Sequence, residues 1–172
     1  VFENSNRMIL SEGLAYDRCA VGVVTDIGWD PDLADFDILD AEQTFKVART
    51  QVDVILPTGT AVLNASDAQV VELADLCDGA VIFYASEAAH PTLVSHRAAG
   101  GKIVYLSHGE IVLADAAHEI TLLPLTALKP AKADKPDMVM AAVAAAWALN
   151  IPVELIAAGL RTFESTPQKT PY

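Results

Sequence analysis

Acidic side chains follow apolar stretches at two places in the first thirty residues. Glu3 ends what reads as a short strand, and Asp26 nearly closes the apolar run of residues 19–27. If both strands belong to one parallel sheet, their carboxyl ends meet in the crevice where such sheets bind ligands. Carboxylate oxygens are the ligands that Mg²⁺ prefers. The pattern predicts a metal site formed by Glu3, Asp26 and Asp30, with Asp32 nearby; a surface acid at Glu3 and a solvated acidic loop are the alternatives.

Three further polar residues are candidates for contacts with a nucleotide cofactor. Asn64 and Asp67 stand between a predicted strand and a predicted helix, where they could contact an adenine or a ribose. The same position is also the ordinary one for a turn and a helix cap. Arg49 could meet a phosphate or an acidic substrate group, or it could pair on a helix surface with Glu42 or Asp53.

No catalytic residue is predicted from the remaining reactive side chains. The four histidines have no metal-like spacing and no Cys or Ser partner in a recognisable motif. Cys19 and Cys77 are far apart and lie beside apolar runs, which is typical of reduced thiols in a core.

Alternating strands and helices must position the candidate residues. The runs at 19–27 and 80–84 are apolar without alternation, as in strands covered on both faces of a parallel sheet. Between 52 and 64, Pro57-Thr58-Gly59 is predicted to form a turn between two strands. Helices are predicted at 7–16, 41–51, 66–78, 91–99, 138–149 and 153–164.

A hairpin is predicted where residues 102–107 and 110–114 flank His108-Gly109, and a linker at 127–137. Together these elements predict an α/β fold: a largely parallel sheet flanked by helices, with a β-hairpin excursion. The strands near Val21 and Val81 are expected to be central, with the Ala-rich helix on one face.

Composition excludes several classes of function. A chain of 172 residues with 52% hydrophobic content has enough apolar residues for a single folded core. A net charge of −12 without a dense Lys/Arg cluster would repel nucleic acid. The longest apolar stretch, 138–149, is too short to span a membrane. The N-terminus has no signal-peptide pattern, which predicts a cytoplasmic setting, and its strand-like start without Met indicates that the chain begins inside a domain.

Long stretches of the sequence resemble the C-terminal part of cyanophycin synthetases. The matching stretches are FENSNRMILSEGLAYDRC (2–19), VGVVTDIG (21–28), RTQVD (49–53), LPTGTAVLNA (56–65), AAAWAL (144–149) and IPVELI (151–156). The resemblance implies a Mur-ligase-like central domain, which activates a carboxylate with ATP as an acyl phosphate and lets an amine form an amide. In that family this half is expected to attach Arg to Asp side chains of a polymer, with ATP and Mg²⁺ as cofactors.

The sequence also departs from the pattern that the resemblance implies. No Gly-x-x-x-x-Gly-Lys-Ser/Thr phosphate loop occurs in it. The Asp-His that usually follows Thr-Asn-Ile-Gly is replaced after Gly28, and the Lys that is often carbamylated aligns with Ala48. Residues around Lys135 replace a His-Asn-x-x-Asn stretch, and Asn-Ala-Asp-Asp is replaced at residues 64–67.

The resemblance therefore implies a partial central domain over residues 1–172, without the phosphate loop and the closing C-terminal domain. The chain by itself is expected to be inactive. ATP and Mg²⁺ are expected in the parent enzyme, and the alternative for this chain is that it binds neither. Its expected partners are the rest of a synthetase chain and further copies in a homo-oligomer. The alternative is a non-catalytic, degenerate ligase-like module that serves packing or oligomerisation.

Overall fold

A six-stranded sheet forms the centre of the protein, which is described here from a computed structural model covering residues 1–28, 31–129 and 133–163. The strands follow one another across the sheet in chain order. The first four strands are parallel to one another. The fifth runs antiparallel to the fourth, and the sixth runs antiparallel to the fifth. Their bounds are β1 Cys19–Val24, β2 Ile55–Asn64, β3 Ala80–Ala85, β4 Lys102–Ser107, β5 Glu110–Asp115 and β6 His118–Pro124.

Helices cover both faces of this sheet. They are α1 Asn6–Glu12, α2 Ala41–Asp53, α3 Ala68–Glu72, α4 Pro91–Ala98, α5 Pro136–Ala148 and α6 Val153–Thr162, with short 3₁₀ turns at Pro31–Phe36, Leu73–Leu76 and Leu125–Ala127. On one face α2 contacts β1 and β2, α3 contacts β2, and α4 contacts β3 and β4. On the other face α5 crosses β1 to β4, and α6 packs on β6 and α5.

Alternate residues of the parallel strands supply two separate cores. Leu63 and Phe83 pack with the α2–α4 side, whereas Val62 and Ile82 pack with α5 and α6. Because both faces are covered, successive residues of each strand are apolar, which explains the continuous runs in the sequence. The predicted fold class is therefore confirmed: a largely parallel sheet flanked by helices.

The expected position of β1 is wrong, whereas that of β3 is confirmed. Among the described residues β1 is the outermost strand, so Val21 lies at an edge, and Val81 in β3 is interior. An unbroken apolar run reflects helices on both faces, here α2 and α5. It carries no information about whether a second strand lies alongside.

Residues 55–64 form one strand and not two strands joined by a turn, and residues 52 and 53 end α2. The ladder between β1 and β2 shifts between the pairs Cys19–Ile55 and Val21–Thr60, so β2 carries three more residues than β1 over that interval. Pro57, Thr58 and Gly59 occupy this irregularity. They interrupt the pairing as predicted, but the chain continues in the same direction afterwards.

Both ends of the sheet differ from the predictions in extent. Residues 1–5 contain no strand, so Glu3 does not end one, and α1 stops at Glu12, where Gly13 follows with a positive φ of 77°. The predicted hairpin is present, with positive φ at His108 and Gly109. A further strand, β6, extends it.

None of the helices in the described residues is both long and apolar enough to cross a bilayer.

Candidate functional site

Three neighbouring strands bring polar residues together at their carboxyl ends. Val24 pairs with Leu63 and Asn64 pairs with Tyr84, so β1, β2 and β3 end at nearly the same level. Asp26 follows β1, and Asn64 is the last residue of β2. This edge is the ligand-binding edge of open α/β sheets, and the structure places two of the predicted site residues on it.

The Asn64 side chain joins the ends of β1 and β2. Its Nδ2 donates to the Thr25 carbonyl oxygen at 2.9 Å, and its Oδ1 accepts from the Ser66 backbone N–H at 2.9 Å. Both ends of the amide therefore have partners within the chain. These bonds fix the turn after β2, as the turn interpretation of Asn64 predicts.

Asp67 lies next to this turn and uses both carboxylate oxygens. Its Oδ1 accepts from the N–H groups of Gln69 and Val70 at 2.9 and 3.3 Å, which caps α3. Its Oδ2 accepts from the Ile27 N–H at 2.9 Å. Asp67 thus acts as the helix cap that its alternative interpretation predicts, and it also holds the loop after β1. Its contact with a nucleotide stays a prediction.

Arg49 is not brought to the other candidates. It lies in α2, which ends at Asp53 just before β2 begins, so it is near the amino ends of the strands. Its Nε donates to both carboxylate oxygens of Asp53 at 3.1 Å. This is the helix-surface pair that the sequence offered as the alternative.

The predicted metal ligands do not form a described cluster. Glu3 is exposed in the segment before α1, beside Asn4, whose side chain donates to the Tyr16 hydroxyl at 2.8 Å. Asp26 accepts from the Thr25 hydroxyl at 2.8 Å. Asp30 lies outside the described residues. Within residues 1–28, 31–129 and 133–163, no three His, Cys, Asp or Glu side chains gather in a way that could hold a metal ion.

A cavity of about 370 Å³ opens at this edge of the sheet, between the strand ends and the start of α5. Its lining residues are Thr25, Asp26, Asn64, Tyr84 and Asp134 to Met138. Ser86, just after β3, donates to Asp137 Oδ1 at 2.8 Å and so joins the strand end to the helix. The described residues thus form a polar pocket that includes Asp26 and Asn64 but neither Glu3 nor Arg49.

Tyr84 is a pocket residue that the sequence did not single out. Its side chain is fully buried, and its hydroxyl has no hydrogen-bond partner among the described residues. Burial raises the pKa of the Tyr84 hydroxyl above its ordinary value, and the nearby carboxylates of Asp137 and Asp26 raise the pKa further. The hydroxyl therefore remains protonated and able to donate. The only sequence signal was a polar atom at the end of an apolar strand.

Comparison with known proteins confirms the resemblance seen in the sequence. The chain is 33% identical to the cyanophycin synthetase of Synechocystis sp. over an alignment of 180 positions, which covers 99% of this chain and 20% of that protein. It is 31% identical to the cyanophycin synthetase of Nostoc sp., again over 99% of this chain and 19% of that protein. The chain thus spans about a fifth of the length of these relatives. No protein-family model matches it.

Solved structures of Mur ligases share the fold. A crystal structure of MurF from Acinetobacter baumannii superposes with a TM-score of 0.58 at 18% identity, covering 87% of this chain and 30% of that one. A pseudomurein peptide ligase type C from Methanothermus fervidus gives a TM-score of 0.53 at 18% identity, covering 86% of this chain and 35% of that one. The Mur-ligase-like architecture implied by the resemblance is therefore confirmed.

Proposed function

We propose that this chain is part of the Mur-ligase-like half of an ATP-dependent amino-acid ligase similar to cyanophycin synthetase. The observation that carries the proposal is similarity to such synthetases over 99% of the chain, in a fold shared with Mur ligases. In this proposal the larger enzyme activates a carboxylate as an acyl phosphate with ATP and Mg²⁺, and it joins Arg to Asp side chains of a polymer. Residues 1–172 then represent a partial central domain, whose partners are the rest of the synthetase and further copies. The cytoplasmic setting also stays a prediction.

The chain by itself is proposed to be inactive toward ATP. Phosphoryl transfer depends mainly on positioning and charge stabilisation of the phosphates. The sequence contains no phosphate loop, and the described carboxylates do not gather into a metal site. The described residues therefore supply neither a phosphate loop to position the phosphates nor a metal site to stabilise their charge.

ATP turnover tests this proposal directly. Purified chain, supplied with ATP and Mg²⁺, is expected to release phosphate no faster than buffer. The Synechocystis synthetase, assayed alongside, provides the positive control. Turnover that survives repeated purification and is lost in Glu3→Gln would contradict the proposal, because it would show a working site in the isolated chain.

Binding of divalent metal is expected to be weak and to depend on Glu3 together with acids of the loop after β1, Asp26 and Asp30. Mg²⁺ keeps several waters and usually completes its coordination with nucleotide phosphates, which have no cradle here. Calorimetric titration of Mg²⁺ or Mn²⁺ into the chain, Glu3→Gln and the matched control Glu12→Gln measures this dependence. Tight binding that is identical in all three proteins would show that Glu3 is not a ligand.

The interactions of the predicted nucleotide residues favour a second candidate, a packing or oligomerisation module. Asn64, Asp67 and Arg49 are all engaged with other parts of the chain. Such a module would keep the fold without binding nucleotide. Equilibrium dialysis with labelled ATP and light scattering test the module: a nucleotide-free chain that forms a defined oligomer is its expected result, and saturable ATP binding would contradict it.

A further inference from the structure

A second cavity lies at the amino ends of β2, β3 and β4, opposite to the carboxyl edge of the sheet. Its volume is about 530 Å³, and it is bordered by the last turns of α4 and α5. The polar side chains that line it are those of Thr58, Thr60, His96, Lys102 and Asn150. None of the described residues in its wall is Asp or Glu. The cavity is therefore locally positive, although the chain carries a net charge of −12.

The sheet places Thr60 and Lys102 on the same face. Side chains two residues apart along a strand share a face, and Val62 and Val104 both pack on the side of α5 and α6. Thr60 and Lys102 therefore face that side as well. Because β3 runs between β2 and β4, two strand spacings of about 4.8 Å each separate them. A small ion can lie between the two side chains.

The positive charge of Lys102 is not neutralised within the described residues. Its ammonium group makes no ion pair or hydrogen bond with them. The Nζ atom lies 4.6 Å from the centre of the Trp147 ring on α5, a cation–π contact that fixes its position. The ring has no net charge, so the contact leaves the charge of the ammonium group in place. The hydroxyls of Thr58 and Thr60 likewise have no hydrogen-bond partner among the described residues.

The helix ends that border the cavity do not require a cation. A helix C-terminus has partial negative charge and free carbonyl oxygens, which could attract one. At the end of α4, the Gly101 N–H donates to the His96 carbonyl oxygen at 2.9 Å, and at the end of α5 the Ile151 N–H donates to the Ala146 carbonyl oxygen at 3.1 Å. These bonds cap both helices. Lys102 then supplies the permanent charge in the wall of the cavity.

We propose that this cavity binds a small oxyanion of the phosphate type, either free or as a monoester. Lys102 donates a charge-assisted hydrogen bond to the anion, and the hydroxyls of Thr58 and Thr60 donate to its other oxygens. A phosphate has more acceptor oxygens than a carboxylate, which suits donors that come from different strands. A cavity of about 530 Å³ is within the range of small-molecule sites and leaves room for the alcohol part of a monoester.

This inference goes beyond the proposed function. The cavity lies at the opposite edge of the sheet from Asn64 and Asp67, the candidate nucleotide residues. Binding of the oxyanion requires neither ATP nor the rest of a ligase.

Titration with inorganic phosphate at constant ionic strength tests the site. Calorimetry measures the affinity, and the NMR signals of Thr60, Lys102 and Trp147 locate the binding. Saturable binding that shifts these signals is expected. Acetate is expected to bind at least about tenfold more weakly, because it has a smaller charge and fewer acceptor oxygens. Glycerol 3-phosphate identifies the preferred form: tighter binding than phosphate indicates a monoester, weaker binding indicates the free ion, and both support the oxyanion site.

Variants assign the binding to these residues. Lys102→Met keeps an apolar contact with Trp147 and is expected to weaken phosphate binding at least about tenfold, whereas Thr60→Val is expected to weaken it about threefold to tenfold. Lys46→Met is the matched control, because it also removes one positive charge. Lys46 lies on α2, on the other face of the sheet, and donates to Glu42 at 2.8 Å. The control should bind phosphate as the unchanged chain does, and circular dichroism confirms that each variant is folded.

Three outcomes would overturn the inference. One is the lack of saturable phosphate binding. Another is equal affinity in Lys102→Met and Lys46→Met, which would show that Lys102 only contacts the Trp147 ring. The third is that acetate shifts the same NMR signals at the same concentrations, which would show screening of charge without a site. None of these results involves ATP, so they do not bear on whether the chain derives from a ligase.

Discussion

Single polar side chains at the carboxyl edge of the sheet hold the loops in place. Asn64 bonds the end of β1, and Asp67 bonds the loop after β1 as well as the start of α3. Each therefore connects segments about 40 residues apart in sequence. The stability of this edge therefore depends on Asn64 and Asp67, which the sequence also allows to be interpreted as ligand-binding residues.

Replacing Asp67 with Ala is expected to lower the free energy of unfolding by about 2–3 kcal/mol. The change removes a helix cap, which is worth about 1 kcal/mol, and leaves the Ile27 N–H without its acceptor. Urea denaturation followed by circular dichroism measures the loss. Asp78→Ala, an exposed acid before β3, serves as control and should change stability by less than about 0.5 kcal/mol. A loss for Asp67→Ala no larger than for the control would show that these bonds do not form in solution.

The sequence predicts the location of Asn64 and Asp67 but not how their side chains are used. Caps and ligand contacts require the same residue types between a strand and a helix. Arg49 and Asp53, four residues apart on a helix, could be predicted as a pair by spacing alone. Tyr84 could not be predicted, because only the packed structure shows that α5 buries its hydroxyl beside two carboxylates.

At the scale of elements, the irregularity between β1 and β2 is a tightly packed feature of the sheet. Gly59 lies in it and is buried. A Cβ at Gly59 would lie 2.6 Å from the Ala20 carbonyl oxygen and 2.9 Å from Ile55 Cγ2. Backbone atoms cannot move away as a flexible side chain can, so only glycine fits there.

Gly59→Ala is therefore expected to destabilise the protein by about 1–3 kcal/mol through overpacking against β1. Gly28→Ala is the matched control, because a Cβ at Gly28 meets nothing within 4 Å. Thermal denaturation of both variants gives the comparison. Equal melting temperatures would mean that the strands separate at this point without cost.

Elements could be predicted where their own residues determine the structure. They were missed or misplaced where pairing with neighbouring strands determines it. The hairpin at His108-Gly109 and the Ala-rich helix follow from turn residues and apolar spacing. β6 was missed, although Ile111 and Leu123 pair across β5 and β6. Four exposed residues begin β6, so it has little apolar signal of its own. The edge position of β1 depends on which strand lies beside it, and no local pattern encodes that.

For the whole molecule, the excess of acidic residues is the dominant electrostatic feature. The chain has 23 Asp and Glu residues against 11 Lys and Arg residues. The side-chain ion pairs observed in the described residues include Lys46–Glu42 and Arg97–Glu119, both largely exposed on the acidic partner. Self-repulsion among the remaining acids opposes the compact state.

Salt is therefore expected to stabilise the protein. Raising NaCl from low ionic strength to about 0.15 M shortens the Debye length to about 8 Å, which screens the repulsion. The melting temperature should rise by a few degrees, measured by circular dichroism at constant pH. KCl at the same ionic strength should give the same shift, and a fall in melting temperature would show that ion pairs outweigh repulsion.

The position of α5 has a consequence for the chain as it leaves the ribosome. This helix covers β1 to β4 on one face, yet it is synthesised after all six strands. At about 5–20 residues per second, the ribosome needs on the order of ten seconds to go from the end of β1 to the start of α5. During that interval the growing polypeptide presents one apolar face of its sheet, so chaperones that bind nascent chains would have their longest opportunity to act there.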